Sequence, residues 1–265
     1  MLTKNQIQTA FEAVKAASPL VQSITNYVAM NNSANALLAI GASPVMAHEK
    51  AEMNDMTAIA GALVLNIGTF DQYWMECILE AGRCARKHGK PIVLDPVGAG
   101  ATPLRTSFSW KIIDECHPDV IRGNGSEIMA LLNADVRSKG VDSSASSDDA
   151  LESAKALAIR TGAVVVISGK TDYITDGTRV ETIQNGHPMM TAVTALGCSA
   201  TAITGAFVAA MPKDIVTACT VAMALIGVAG EKAAAVSAGP GSLQMNLLDV
   251  LYNLSPADLA ECTRQ

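Results

Sequence analysis

Four short runs constrain the fold more than anything else in this chain: "ALVLNIG" at 62–68, "PIVLDPVG" at 91–98, "DVIRGN" at 119–124 and "AVVVISG" at 163–169. Each is apolar, carries β-branched residues and closes on Gly, Asn or Asp. Continuous apolar runs of this length suit strands covered on both faces. Helical stretches at about 72–88, 104–116 and 126–134 separate them. This rhythm predicts the α/β class, a mostly parallel central sheet flanked by helices on both faces.

"PLVQSIT" (19–25) and "SPVMA" (43–47) bracket a helix expected at 28–39 and add two candidate strands. After 169, "DYITDGTRVETIQNG" alternates and turns at Asp176-Gly177, which predicts an antiparallel hairpin on the sheet edge. The remainder reads as helices at about 198–211, 214–236 and 242–253. The Ser- and Asp-rich segment 139–150 reads as a loop with no shift in composition beyond it, so one domain over 1–265 is expected.

With aromatics at only 4%, Ala, Val, Leu, Ile and Met must fill the core, and helices must pack closely through Ala and Gly. A net charge of −6 without any basic run argues against a nucleic-acid partner. The apolar tracts 200–211 and 215–230, split by "PKD", fall short of the ~20 residues of a membrane span and read as core helices. No signal-like core opens the chain, so a cytoplasmic protein without a membrane partner is expected. The six cysteines form no CxxC pair and suit neither a zinc site nor a disulfide framework. Cys77 and Cys84, seven apart, should share a helix face. His48, His88, His117 and His187 are scattered and read as surface or turn residues.

Ligands of open α/β sheets gather at the carboxyl ends of strands. Here those ends carry Asn66 and Gly68, then Asp95, then Arg122, Asn124 and Glu127, then Ser168 and Gly169. In "RGNGSEI", Gly123 and Gly125 admit close backbone approach, and Asn124 and Glu127 share a face if a helix opens there. Glu127 is then either a helix-capping residue or, with Asp95, a carboxylate that orients the waters of Mg²⁺. In "TALGCS" (194–199), Gly197, Cys198 and Ser199 offer free N–H groups to a phosphate at a helix start, or merely a turn beside a buried thiol. Walker A, GxSxG and GxGxxG patterns are missing.

Taken in order, "ITNYV", "NALLAIGASPVM", "LNIGT", "LDPVGAGAT", "IRGNGSEIMAL", "GVDS", "VVVISGKTDYITDG", the "GC" that opens a helix and "GPGS" resemble the hydroxyethylthiazole kinases of the ribokinase-like superfamily. The resemblance spans nearly the whole chain. It implies a ribokinase-like fold and transfer of the ATP γ-phosphate to the hydroxyl of 4-methyl-5-(2-hydroxyethyl)thiazole, in thiamine salvage. It implies that Asn26, Met46 and Gly68 line the thiazole pocket, with Ala195 at a further substrate contact. Arg122, Asn124 and Ser168 fall on ATP positions, and Asp95 and Glu127 on Mg²⁺-organising positions. A homotrimer with pockets between subunits is implied too.

Cys198, next to Gly197, stands where many relatives in the superfamily place an Asp base. A helix start there is expected to lower its pKa toward a working thiolate. Ala195-Leu196 departs from the Gly-Thr that commonly precedes Gly-Cys in the family. If that backbone needs a positive φ, Ala195 is strained; otherwise its methyl is simply tucked away. A kinase for pyridoxal or hydroxymethylpyrimidine is the nearest alternative. A dehydratase for hydrated nicotinamide nucleotides would want a carboxylate at position 198.

Overall fold

A computed structural model describes residues 1–133 and 147–265. Helix α1 (Lys4–Ala17) precedes β1 (Leu20–Ile24), α2 (Met30–Ala39) and β2 (Ser43–Val45). Next come α3 (Met53–Ile59), β3 (Ala62–Asn66), α4 (Gln72–Lys87) and β4 (Ile92–Asp95). They are followed by α5 (Pro103–Cys116), β5 (Val120–Asn124) and α6 (Gly125–Asn133). The second described segment begins with α7 (Ser147–Thr161), β6 (Val164–Ser168), β7 (Asp172–Thr175) and β8 (Val180–Ile183). It ends in α8 (Leu196–Ala210), α9 (Ile215–Ala235), α10 (Pro240–Asn253) and α11 (Pro256–Cys262).

The strands form one sheet in the order β2-β1-β3-β4-β5-β6-β7-β8. Pairing is parallel from β2 through β6, and β7 and β8 add the expected antiparallel hairpin at one edge. Register sets Asn66 opposite Asp95 and Asn124 opposite Ser168, so the polar strand tips lie along one rim.

Strand alternation divides the core in two. Val21, Val64, Val93, Val120 and Val166 face α1, α2 and α8 to α11. Leu63, Leu65, Ile92, Leu94, Ile121 and Ile167 face α3 to α7. The smaller valine face lets α8 settle deep on the sheet. At Gly205 an added Cβ would lie 2.7 Å from Val64 Cγ2, so any side chain there would lift the helix. Cys77 and Cys84 are both buried on α4, as their spacing predicts.

Three expectations change. Helix α8 opens at Leu196, two residues early, so Cys198 lies within its first turn. Residues 147–150 belong to α7; the rest of the expected loop, including "GVDS", lies outside the described residues. Helix α9 runs 21 residues, long and apolar enough to cross a membrane, yet 83% of its apolar window is buried, as befits a core helix.

Candidate active site

The rim is organised by one chain of hydrogen bonds. Asn66 Nδ2 donates to Asp95 Oδ2 (2.8 Å), and Thr201 Oγ1 donates to the same oxygen (2.8 Å). Asn66 Oδ1 accepts from Asn26 Nδ2 (2.8 Å) and from the Gly68 amide (2.9 Å). Asn26 Nδ2 also reaches Cys198 Sγ at 3.3 Å, and its own Oδ1 accepts the Ala29 amide (2.9 Å). The relay thus links β1, β3, β4 and the first turn of α8. Thr201 and Arg105 complete this rim without a signal in the sequence reading. Arg105 donates to the carbonyls of Ile67, Val97 and Gly68 and so ties together the turns after β3 and β4.

Asp95 is 2% exposed. Burial pushes its carboxyl up to about 6; Arg122 pulls the other way and the charge of Glu127 adds to the rise. Glu127 fulfils the capping reading. Its Oε2 accepts the Asn124 amide (2.8 Å), while its own amide donates to Asn124 Oδ1 (2.9 Å). Its Oε1 accepts the Gly98 amide (2.8 Å), which fixes the turn after β4. These bonds also hold the Glu127 carboxylate where its charge bears on Asp95. Asn124 is occupied by the cap and does not line the cavity described next.

A cavity of about 670 Å³ opens beside this rim. Its lining combines Arg122, Ser168, Gly169, Ala195 and Gly197 with the largely apolar Met190, Val193, Met223, Ile226 and Gly227. Arg122 is 6% exposed; one guanidinium nitrogen donates to the Gly197 carbonyl (2.8 Å), and its buried Nε has no partner among the described residues. Asn26, Gly68, Asp95 and Cys198 adjoin the cavity through the relay. Met46 stands apart, just past edge strand β2, its carbonyl 2.9 Å from His48 Nδ1.

The thiol departs from expectation. Burial and the charge of Asp95 push Cys198 up to about 11, overriding the hydrogen bonds from Asn26 and Asn66 and the charge of Arg122. Cys198 is therefore a protonated thiol at neutral pH.

Ala195 caps α8 with φ 66° and ψ 3°, so the strained alternative holds. A left-handed L-residue costs ~1–2 kcal/mol, offset in part by the greater freedom glycine has in the unfolded chain. Ala195→Gly should raise Tm by about 1–3 °C, as scanning calorimetry would show. A lower Tm would mean that the methyl makes compensating contacts.

The hydroxyethylthiazole kinase family model matches residues 11–257. A hydroxyethylthiazole kinase of Vibrio campbellii is 53% identical over 256 residues, covering 97% of this chain and 96% of the relative. The solved hydroxyethylthiazole kinase from Pyrococcus horikoshii superposes with a TM-score of 0.87 at 42% identity, covering 94% of this chain and 93% of that one. A ribokinase-like superfamily protein from Enterococcus faecalis shares the fold at 14% identity, with a TM-score of 0.65 over 94% of each chain. With the parallel sheet, the polar rim and these likenesses in agreement, the chain belongs to the hydroxyethylthiazole kinase family.

Proposed function

We propose that the cavity between Arg122 and α9 holds ATP, and that the thiazole alcohol meets its γ-phosphate at Gly197 and Cys198. The activity is that of the family: ATP-dependent phosphorylation of the hydroxyl of 4-methyl-5-(2-hydroxyethyl)thiazole, in thiamine salvage. One observation carries the placement. A buried guanidinium whose Nε has no partner among the described residues lines a cavity that also takes in the N-terminal turn of a 15-residue helix. Both features suit a polyphosphate. ATP consumption with the thiazole alcohol as sole acceptor tests the activity, and Arg122→Lys, expected to raise KM for ATP, tests the placement.

Arg122 and Ser168 bind and orient the phosphates, with Asn124 holding the adjoining helix start. Asp95 and Glu127 fit Mg²⁺: both are oxygen donors, and Asp95 Oδ1 has no protein donor among the described residues. They would hold the ion through its waters, and bound Mg²⁺ supplies charge neutralisation at the phosphates. Phosphoryl transfer passes through a loose transition state, so positioning outweighs base strength. A protonated Cys198, held by Asn26, then serves to place the hydroxyl and not to take its proton.

Steady-state kinetics across pH test that role. Asp95 must be ionised, so activity should fall as pH drops through about 6. Cys198 at about 11 contributes no rise between pH 7 and 9. A tenfold gain per pH unit there would mean that the thiolate is the working form. Cys198→Ala should slow turnover by less than the ~10²–10⁴-fold that losing a general base costs, because the protonated thiol only positions the hydroxyl. Cys198→Asp should be at least as active as the alanine variant.

Asn26 and Gly68 form the thiazole side, with Ala195 bordering it from the cavity, and Met46, apart from them within one chain, joins it across a subunit boundary. Tyr27 and Val28, directly after Asn26, are 62% and 56% exposed, which supports a neighbouring subunit closing this side in a homotrimer. Sedimentation should give about three chains; a fully active monomer would refute shared pockets. The protein works as one domain over 1–265, in the cytoplasm.

A further inference from the structure

The cavity holds a charged group that this scheme leaves without a task. Asp172 opens β7, is 6% exposed and lines the cavity. Its Oδ1 accepts the Gly169 amide at 2.9 Å, and among the described residues no protein group donates to Oδ2. Burial pushes the carboxyl up to about 6, with the Gly169 bond and the charge of Arg122 opposing. A buried carboxylate in a polyphosphate site is repulsive unless it faces a neutral hydrogen-bond donor.

Topology indicates which part of the nucleotide that donor belongs to. Asp172 follows the Ser168–Gly169 turn by three residues and pairs across the hairpin with Ile183. Beyond Ile183 the chain supplies Asn185, Gly186, His187, Met190 and Val193 to the same cavity lining. In chain order and strand pairing Asp172 thus links the residues assigned to the phosphates with the apolar lining, the position that the proposed ATP placement gives to the sugar. Its acceptor oxygen matches the hydroxyls of a ribose and nothing in a phosphate.

We propose that Asp172 reads the ribose of ATP, its Oδ2 accepting a hydrogen bond from a sugar hydroxyl, and so makes the enzyme select ribonucleoside over deoxyribonucleoside triphosphates. The proposal rests on the placement of ATP in this cavity. The test measures kcat/KM for ATP, 2′-deoxyATP and 3′-deoxyATP with the wild type, Asp172→Asn and Asp172→Ala. The wild type should disfavour at least one deoxynucleotide by about 10–100-fold, the range for a hydrogen bond to a charged group, and mainly through KM. Both variants should bring the ratio close to one. Asparagine keeps an acceptor for the Gly169 amide, so its effect separates sugar reading from support of the loop. The proposal is overturned if the wild type treats all three nucleotides alike, or if the variants keep the wild-type ratio. Arg122→Lys separates the two readings: if it leaves KM for ATP unchanged, the placement of ATP has failed and the proposal with it. If it raises KM for all three nucleotides at a constant ratio, the placement stands and the Asp172 variants decide alone.

Discussion

Asp95→Asn should lower kcat by about 10²–10³-fold, the usual loss when one electrostatic stabiliser of a transition state is removed, and should raise the Mg²⁺ needed for half-maximal rate. The variant loses the negative charge proposed to act together with Glu127, while its remaining amide oxygen can still accept from Asn66 and Thr201, which keeps the relay to Asn26 and Cys198 in place.

Stability should move the other way. The carboxyl is raised from 3.8 to about 6 in the folded protein, so its charge opposes folding increasingly as pH rises through that window and fully above it. Removing the charge at pH 7 lifts this penalty, and Tm should match or exceed that of the wild type. Activity lost at undiminished Tm is the signature; wild-type kcat and Mg²⁺ dependence would remove Asp95 from the mechanism. Glu127→Gln is a less clean probe. Its amide would face the Asn124 or Gly98 N–H, so part of any loss would come from an unwound α6 cap.

Gly197→Val should cost more activity than Cys198→Ala, roughly 10³-fold in kcat/KM if the loss reaches that of a missing oxyanion donor. An added Cβ at 197 would lie 3.1 Å from an Arg122 guanidinium nitrogen that now donates to the Gly197 carbonyl. Two further methyls would push the arginine off its acceptor and into the path of the phosphates. Cys198→Ala removes only the sulfur that Asn26 contacts. Steady-state kinetics and calorimetric ATP titration on both variants check the order. If the valine variant is the milder one, the γ-phosphate does not pass this helix start.

The central strands were legible because each is buried on both faces and therefore written in uninterrupted apolar letters. The hairpin was legible from its alternation and its Asp-Gly turn. Helix α1 was overlooked although its signals are present: Thr3 and Gln6 form a capping box, and Ile7, Ala10, Phe11 and Val14 make a buried stripe. Glu127 could not be decided locally, since the residues that cap a helix are the ones that would also meet a metal. Cys198 misled for a physical reason. The helix start is visible in neighbouring letters, whereas the burial and the carboxylate that outweigh it arrive from β4, about a hundred residues earlier. The positive φ of Ala195 lies on the same side of that divide, because only the tertiary path forces the turn.

Helix α9 ties its own burial to parts of the chain that lie far apart in sequence. Every residue from Val216 to Gly230 is buried, so the helix has no water-facing stripe to keep it in solution alone. Its neighbours include α1 near one end of the chain, α10 and α11 near the other, and strands β6 to β8. Its burial is complete only when those distant parts have met. Met223, Ile226 and Gly227 come from this helix, so the wall they give the cavity depends on its docking. A nucleotide bound there, as proposed, would stabilise only the form with the helix docked, by about 2.7 kcal/mol at a hundredfold excess over Kd.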